Sequence, residues 1–227
     1  MISKYAIEEL INKKKTHICV AADVTNLSSL FSLIENVGEY ICILKLHYDI
    51  IEDFCEDLQG TIVKLNELKQ RYNFFIWEDR KFADIGSIME KQIKNHIIKW
   101  ADMVSVHAIA GFESLNSLQN LDISLVIIGE LSSKGSLTDK NYQLKVLESV
   151  KNISNVIGLV CQHKMTSELL NIVPGISLNL DKTTDNKGQT YRTFNSPELE
   201  FADILVIGRA ITRSHNPKEK IKTILEL

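Results

Sequence analysis

The chain has no C-x-x-C pair, and its four cysteines, Cys19, Cys42, Cys55 and Cys161, lie far apart. That supports neither a disulfide framework nor a zinc site. Three of the four sit in apolar contexts that suit core packing of free thiols. No uninterrupted apolar run approaches the ~20 residues needed to span a bilayer, so no membrane partner is expected. There is no excess of positive charge either. Lys and Arg number 26 against 29 Asp and Glu, for a net charge of −3. A broad basic field for nucleic acid or an anionic membrane is therefore missing. With only three prolines and ten glycines among 227 residues, the chain shows no linker and no low-complexity tract. One domain over residues 1–227, large enough to bury a sizeable core, is the expectation. The first 17 residues read as an amphipathic helix rather than a secretory leader, and a reducing cytoplasm is the expected location.

What is present is a recurrence of short apolar runs rich in β-branched residues. They fall at 17–22, 40–46, 74–79, 102–108, 124–130, 155–161, 170–175 and 203–208. Each is nearly continuous in apolar character, as in a parallel sheet covered on both faces. Helical spacing intervenes. Phe54, Leu58, Ile62, Leu65 and Leu68 recur every three or four residues, and 88–100, 141–150 and 217–227 behave similarly. Alternating strand and helix means α/β, and eight repeats in this length predict a (β/α)8 TIM barrel. A doubly wound open sheet is the alternative, but the turn after the first run, AADVTNLSS, lacks the glycines such sheets use there.

The third run leads into EDRKFADIG, with Asp79, Lys81 and Asp84 inside six residues. Strand alternation puts Asp79 and Lys81 on one side and Arg80 on the other. Such a cluster can be a solvated ion-pair network at a strand exit. That is the commoner use of such a cluster, but it can also be a catalytic array, since clustered charges at a strand end perturb one another. In a barrel, functional groups collect at the C-terminal strand ends. The other runs end on Asp23, on Lys45 and His47, on His107, on Glu130 and Ser132, on Pro174, and on Gly208-Arg209. Arg209 offers a bidentate fork for phosphate oxygens at the strand where barrel phosphate sites gather. The long polar loop before it carries Gly188, Gln189 and Tyr191, and is a second candidate phosphate element.

These words occur together in one family. ADV at 22–24, ILKLHYDII at 43–51, FIWEDRKFADIG at 75–86, ELSSKGSL at 130–137, VPG at 173–175, GQTYRT at 188–193 and VIGRAIT at 206–212 stand in its order. The chain thereby resembles the orotidine 5′-monophosphate decarboxylases of eukaryotic type over almost its whole length. The resemblance implies decarboxylation of orotidine 5′-monophosphate to uridine 5′-monophosphate in pyrimidine biosynthesis, with no metal and no organic cofactor. It assigns Lys45, Asp79 and Lys81 to a charged catalytic array, completed by Asp84 of a second subunit in a homodimer. Asp23 and Lys45 would hold ribose hydroxyls. Ser132 would contact the base, with backbone near Pro174 lining the pocket. Gln189, Tyr191 and Arg209 would grip the phosphate, and His47 and Ile85 would lie close by. Four positions depart from the family pattern: Leu46 replaces a threonine, Ser87-Ile88 replaces an amide and a hydroxyl, and Ser105 replaces an asparagine. The resemblance thus implies weaker ribose binding across the dimer at Ile88, without loss of function. The rivals are a magnesium-dependent sugar-acid-phosphate decarboxylase of the same superfamily and a catalytically silent nucleotide-binding barrel.

Overall fold

Successive side chains of a strand face opposite ways, and that alternation builds this molecule. The computed structural model describes residues 1–178, 188–194 and 196–226. Eight parallel strands close a barrel: β1 (Ile18–Ala21), β2 (Ile43–Leu46), β3 (Phe75–Phe82), β4 (Met103–His107), β5 (Ser124–Ile128), β6 (Val156–Val160), β7 (Leu170–Val173) and β10 (Ile204–Ile207). They follow one another in chain order, and β10 pairs with β1 to complete the ring. Between β7 and β10 lies a short parallel pair, β8 (Ile176–Ser177) with β9 (Arg192–Thr193). All eight apolar runs are barrel strands, and the open-sheet alternative falls.

Helix α1 (Lys4–Lys14) precedes the barrel, and α2 (Leu27–Val37), α3 (Leu58–Tyr72), α4 (Gly86–Asn95), α5 (Phe112–Asn116) and α6 (Lys140–Val150) follow the first five strands. After β10 come α7 (Arg209–Thr212) and α8 (Pro217–Leu225). Leu227, assigned to the last helix from periodicity, lies outside the described residues. Among the described residues no helix follows β6, because residues 161–169 are too few for a helical crossover. Two helix boundaries differ from the periodicity. Asp57 caps α3 by accepting from the Gly60 N–H at 3.0 Å, so Phe54 stays outside the helix and packs on Tyr48 and Trp100. Helix α4 starts at Gly86 and yields to a 3-10 turn over Ile97–Lys99. No helix among the described residues is long and apolar enough to cross a membrane.

The core has two layers. Inside the barrel lie Cys19, Ile43, Trp77, Met103, Val126, Ile128, Leu170, Ile172, Ile204 and Val206, with Ile7 and Leu10 of α1 packed against them. Outward residues such as Val20, Leu44, Ile76, Val104, Ile127 and Leu159 meet the helices in the second layer. Cys19, Cys42 and Cys161 are buried free thiols and Cys55 is exposed.

Candidate active site

The pleat that sends Ile43 and Trp77 inward sends Lys45 and Asp79 inward two residues later, at the C-terminal rim. Both are almost fully buried. Lys45 Nζ meets Asp79 Oδ2 at 2.9 Å and Asp23 Oδ1 at 3.7 Å, and it donates to His47 Nε2 at 3.0 Å. Lys81 Nζ reaches the same Asp79 oxygen at 2.7 Å. One carboxylate oxygen is thus shared by two ammonium groups.

Burial alone would raise the Asp79 pKa, but Lys45, Lys81 and His47 outweigh it and hold the carboxyl well below its usual range. Burial likewise works against the charge on Lys45. The Asp79 and Asp23 carboxylates reverse that and lift its pKa above the ordinary lysine value. Burial, reinforced by the Lys45 charge, lowers His47 to about 4, so His47 is neutral near pH 7 and accepts from the lysine.

Lys81 does not reach this position by simple alternation. Pairing between β3 and β4 jumps from Glu78↔Val104 to Phe82↔Val106, leaving extra residues on β3. Lys81 takes the strain with a left-handed backbone, φ 55°. Its N–H, freed from the ladder, donates to the Ser105 hydroxyl at 2.9 Å. The family departure at Ser105 therefore has a structural job, which sequence spacing did not reveal.

Above this floor opens a cavity of about 810 Å3. Asp23, Lys45, His47, Asp79, Lys81, Ser132, Pro174, Gln189, Tyr191 and Arg209, all singled out from sequence, line it. The Gln189 amide donates to the Ser132 hydroxyl at 2.7 Å, and Thr190 N–H donates to the Ser132 carbonyl at 3.0 Å. The loop after β5 is thereby zipped to the segment before β9. Gly175, at φ +82°, permits this approach, because a Cβ there would stand 2.6 Å from the Thr190 carbonyl. Elsewhere in the lining the Arg209 guanidinium stacks 5.2 Å above the Tyr191 ring. The polar loop named from sequence lies partly outside the described residues, which resume at Gly188.

Asp84 and Ile85 do not line this cavity. Asp84 is exposed, accepting from the Ile85 N–H at 2.7 Å, and Ile85 is 61% exposed. Glu130, at the end of the fifth run, turns away to bracket the Gln162 N–H and His163. Trp77, Arg213 and Lys220 line the cavity without having been singled out from sequence.

Among the described residues one group, His47, Asp49 and Glu78, brings three metal-ligating atom types together. It is poorly suited to a cation: Asp49 already pairs with Arg80 at 3.2 Å, and Glu78 is mostly protonated near neutrality. Glu78 faces the outer layer, wholly buried, with Oε2 accepting from the Tyr48 N–H at 3.0 Å and no partner for Oε1 among the described residues. Burial pushes its pKa up to about 8, against the pull of that N–H. The folded chain thus keeps a proton that the unfolded chain releases above about 4.3. This contribution to stability is complete below that value and is lost as pH rises toward 8, at about 1.4 kcal/mol per pH unit. Urea denaturation at pH 6 and pH 8 should show the wild type losing about 2–3 kcal/mol more than Glu78→Gln, which cannot titrate. An equal loss in both would show that Glu78 is already ionised at pH 6.

Fold and site together define a (β/α)8 barrel enzyme with a lysine–aspartate array at the C-terminal rim of its strands. The sequence model of the orotidine 5′-phosphate decarboxylase / HUMPS family matches residues 16–224. The chain belongs to that family. It is 38% identical to the orotidine 5′-phosphate decarboxylase of Pachysolen tannophilus over 219 residues, covering 89% of this chain and 80% of that one. It is 34% identical to that of Pichia kudriavzevii over 230 residues, covering 94% and 86%. Its fold is similar to the crystal structure of orotidine 5′-monophosphate decarboxylase from Methanocaldococcus jannaschii complexed with the inhibitor BMP. There the TM-score is 0.70 at 23% identity, over 92% of this chain and 97% of that one.

Proposed function

We propose that this protein decarboxylates orotidine 5′-monophosphate to uridine 5′-monophosphate, in the synthesis of pyrimidine nucleotides. The observation that carries the reading is the sharing of one Asp79 oxygen by Lys45 and Lys81 in a cavity that Arg209, stacked over Tyr191, also lines. Breaking the bond between the ring and its carboxylate leaves an electron pair on a ring carbon with no ordinary electron sink, while carbon dioxide departs. A cation must face that carbon and then give it a proton. Lys81 serves both roles in this reading, and its amine recovers a proton from solvent. Proton donation by one side chain supplies only about 10²–10⁴-fold. Preorganised charge supplies much of the rest, because the array is already in place and needs no reorganisation as the carbanion develops. Asp79 stays ionised and holds both lysines.

Asp23 and Lys45 take the ribose hydroxyls, with His47 as a neutral neighbour. Ser132 and Gln189 close over the base beside Pro174, and Gln189, Tyr191 and Arg209 hold the phosphate. Binding energy from that non-reacting group orders the loops around the array. No cofactor enters this scheme. The domain is a single barrel over 1–227, and four free thiols suit a cytoplasmic setting.

The working assembly in this reading is a homodimer, with Asp84 entering the partner's site and Ile85 beside it. Support comes from the rim after β2, β3 and β4. There Ile50, Ile85, Ile109 and Phe112 expose apolar side chains at neighbouring turns.

Loss of absorbance on mixing the protein with orotidine 5′-monophosphate tests the reaction. Activity that survives strong chelation separates it from a magnesium-dependent sugar-acid-phosphate decarboxylase. Arg209→Ala should lower kcat/KM for the nucleotide about 10²-fold, as expected for charged hydrogen bonds of roughly 1.5–3 kcal/mol. The same substitution should change turnover of the phosphate-free nucleoside by no more than a few-fold; equal losses on both would refute a direct phosphate role.

A further inference from the structure

The cavity does not end at Arg209. Its lining continues to Arg213 at the end of α7 and to Lys220 on α8. The Arg213 N–H donates to the Arg209 carbonyl at 3.2 Å, closing one helical turn. Residues four apart on such a turn share a face, so the two guanidinium groups rise from one side of α7. Helix α8 packs against α7 and brings Lys220 to the same end.

Neither Arg213 nor Lys220 has an ion-pair partner among the described residues. The adjacent carboxylate on α8, Glu219, is occupied by Lys222 at 3.2 Å. A solvated helix surface normally intersperses charges of both signs. Here three cations line one end of one cavity. A phosphate monoester carries about −1.5 to −2 near neutral pH, and Arg209 with its neighbouring donors is proportioned to that. Two further cations are more charge than one phosphate needs.

We propose that Arg213 and Lys220 form a second-phosphate subsite, so that the site also takes a pyrimidine nucleoside 5′-diphosphate. The inference rests on the nucleotide reading above. Base, ribose and first phosphate occupy the seats of the monophosphate, and the terminal phosphate extends one step outward to the two cations. Uridine 5′-diphosphate has no carboxylate to lose, so it acts as a competitive inhibitor. It arises from the reaction's product by phosphoryl transfer, which would tie this step to the level of a later nucleotide.

The test is calorimetric titration of the full-length protein with uridine 5′-monophosphate and, separately, uridine 5′-diphosphate, in magnesium-free buffer. Wild type should bind the diphosphate within threefold of the monophosphate or more tightly. In the double variant Arg213→Ala/Lys220→Ala, the ratio of diphosphate Kd to monophosphate Kd should rise at least tenfold. Should that variant fail to fold, Arg213→Gln/Lys220→Gln provides the same readout. A wild type that binds the diphosphate more than threefold more weakly overturns the subsite, as does a ratio that rises less than tenfold. If neither nucleotide binds wild type, the nucleotide reading itself fails; if only the monophosphate binds, that reading stands and the subsite alone is lost.

Discussion

Replacing Lys81 by alanine should lower turnover of orotidine 5′-monophosphate by more than about 10⁴-fold while nucleotide still binds. Removal of the side chain deletes the proton donor, whose share alone is about 10²–10⁴-fold. It also deletes one of the two cations on the Asp79 oxygen, at 2.7 Å, and with it part of the field facing the developing carbanion. Lys45 stays at 2.9 Å and keeps Asp79 from becoming an unpaired buried charge, so the fold should tolerate the change. The left-handed backbone at this position adds no new cost, since lysine already bears that strain and alanine, likewise carrying a Cβ, bears the same. Single-turnover kinetics beside monophosphate titration separate the two effects. Turnover within tenfold of wild type would remove Lys81 from the chemistry.

The second large effect is recovery rather than loss. Asp84→Ala should be nearly inactive by itself if the carboxylate works in the partner's site. Mixing Lys81→Ala and Asp84→Ala chains then creates heterodimers in which one site carries both lesions. The other site has an intact lysine and an intact borrowed aspartate. Random pairing should restore roughly a quarter of wild-type activity, because half the dimers are mixed and half of their sites are whole. The exposure of Asp84 outside its own cavity motivates this experiment. Persistent inactivity in dimers verified as mixed would assign Asp84 to its own chain or to no site. Recovery would also give the apolar rim at Ile50, Ile85, Ile109 and Phe112 its covering surface.

Sequence and structure agree best where physics is local. The eight strands were legible because each is a short apolar run bounded by polar residues. Lys45 and Asp79 were legible because period-two alternation carries a charged side chain inward at the point where the run ends. The helices were legible in kind and less so in extent. Periodicity could not see that Asp57 caps α3 and excludes Phe54, because a cap is one hydrogen bond rather than a pattern. The missing helix after β6 was hidden for a similar reason: an apolar-run reading locates strands and leaves the form of each connection open. Ser105 looked like a mere departure from a family word. Its use appeared only when the pairing jump between β3 and β4 left the Lys81 N–H without a ladder partner.

By itself the sequence determined the barrel, its strand order and the words Lys45, Asp79, Lys81 and Arg209, since hydrophobic periodicity and motif order are written along the chain. Tertiary structure alone decided which charges share an atom, that His47 is neutral beside them, and that Glu78 keeps its proton. It also gathered Arg213 and Lys220 at the end where Arg209 stands. The reason is common to all of these. Burial and the distance between charges from different strands and helices set protonation and pairing, and neither quantity exists until the barrel has closed.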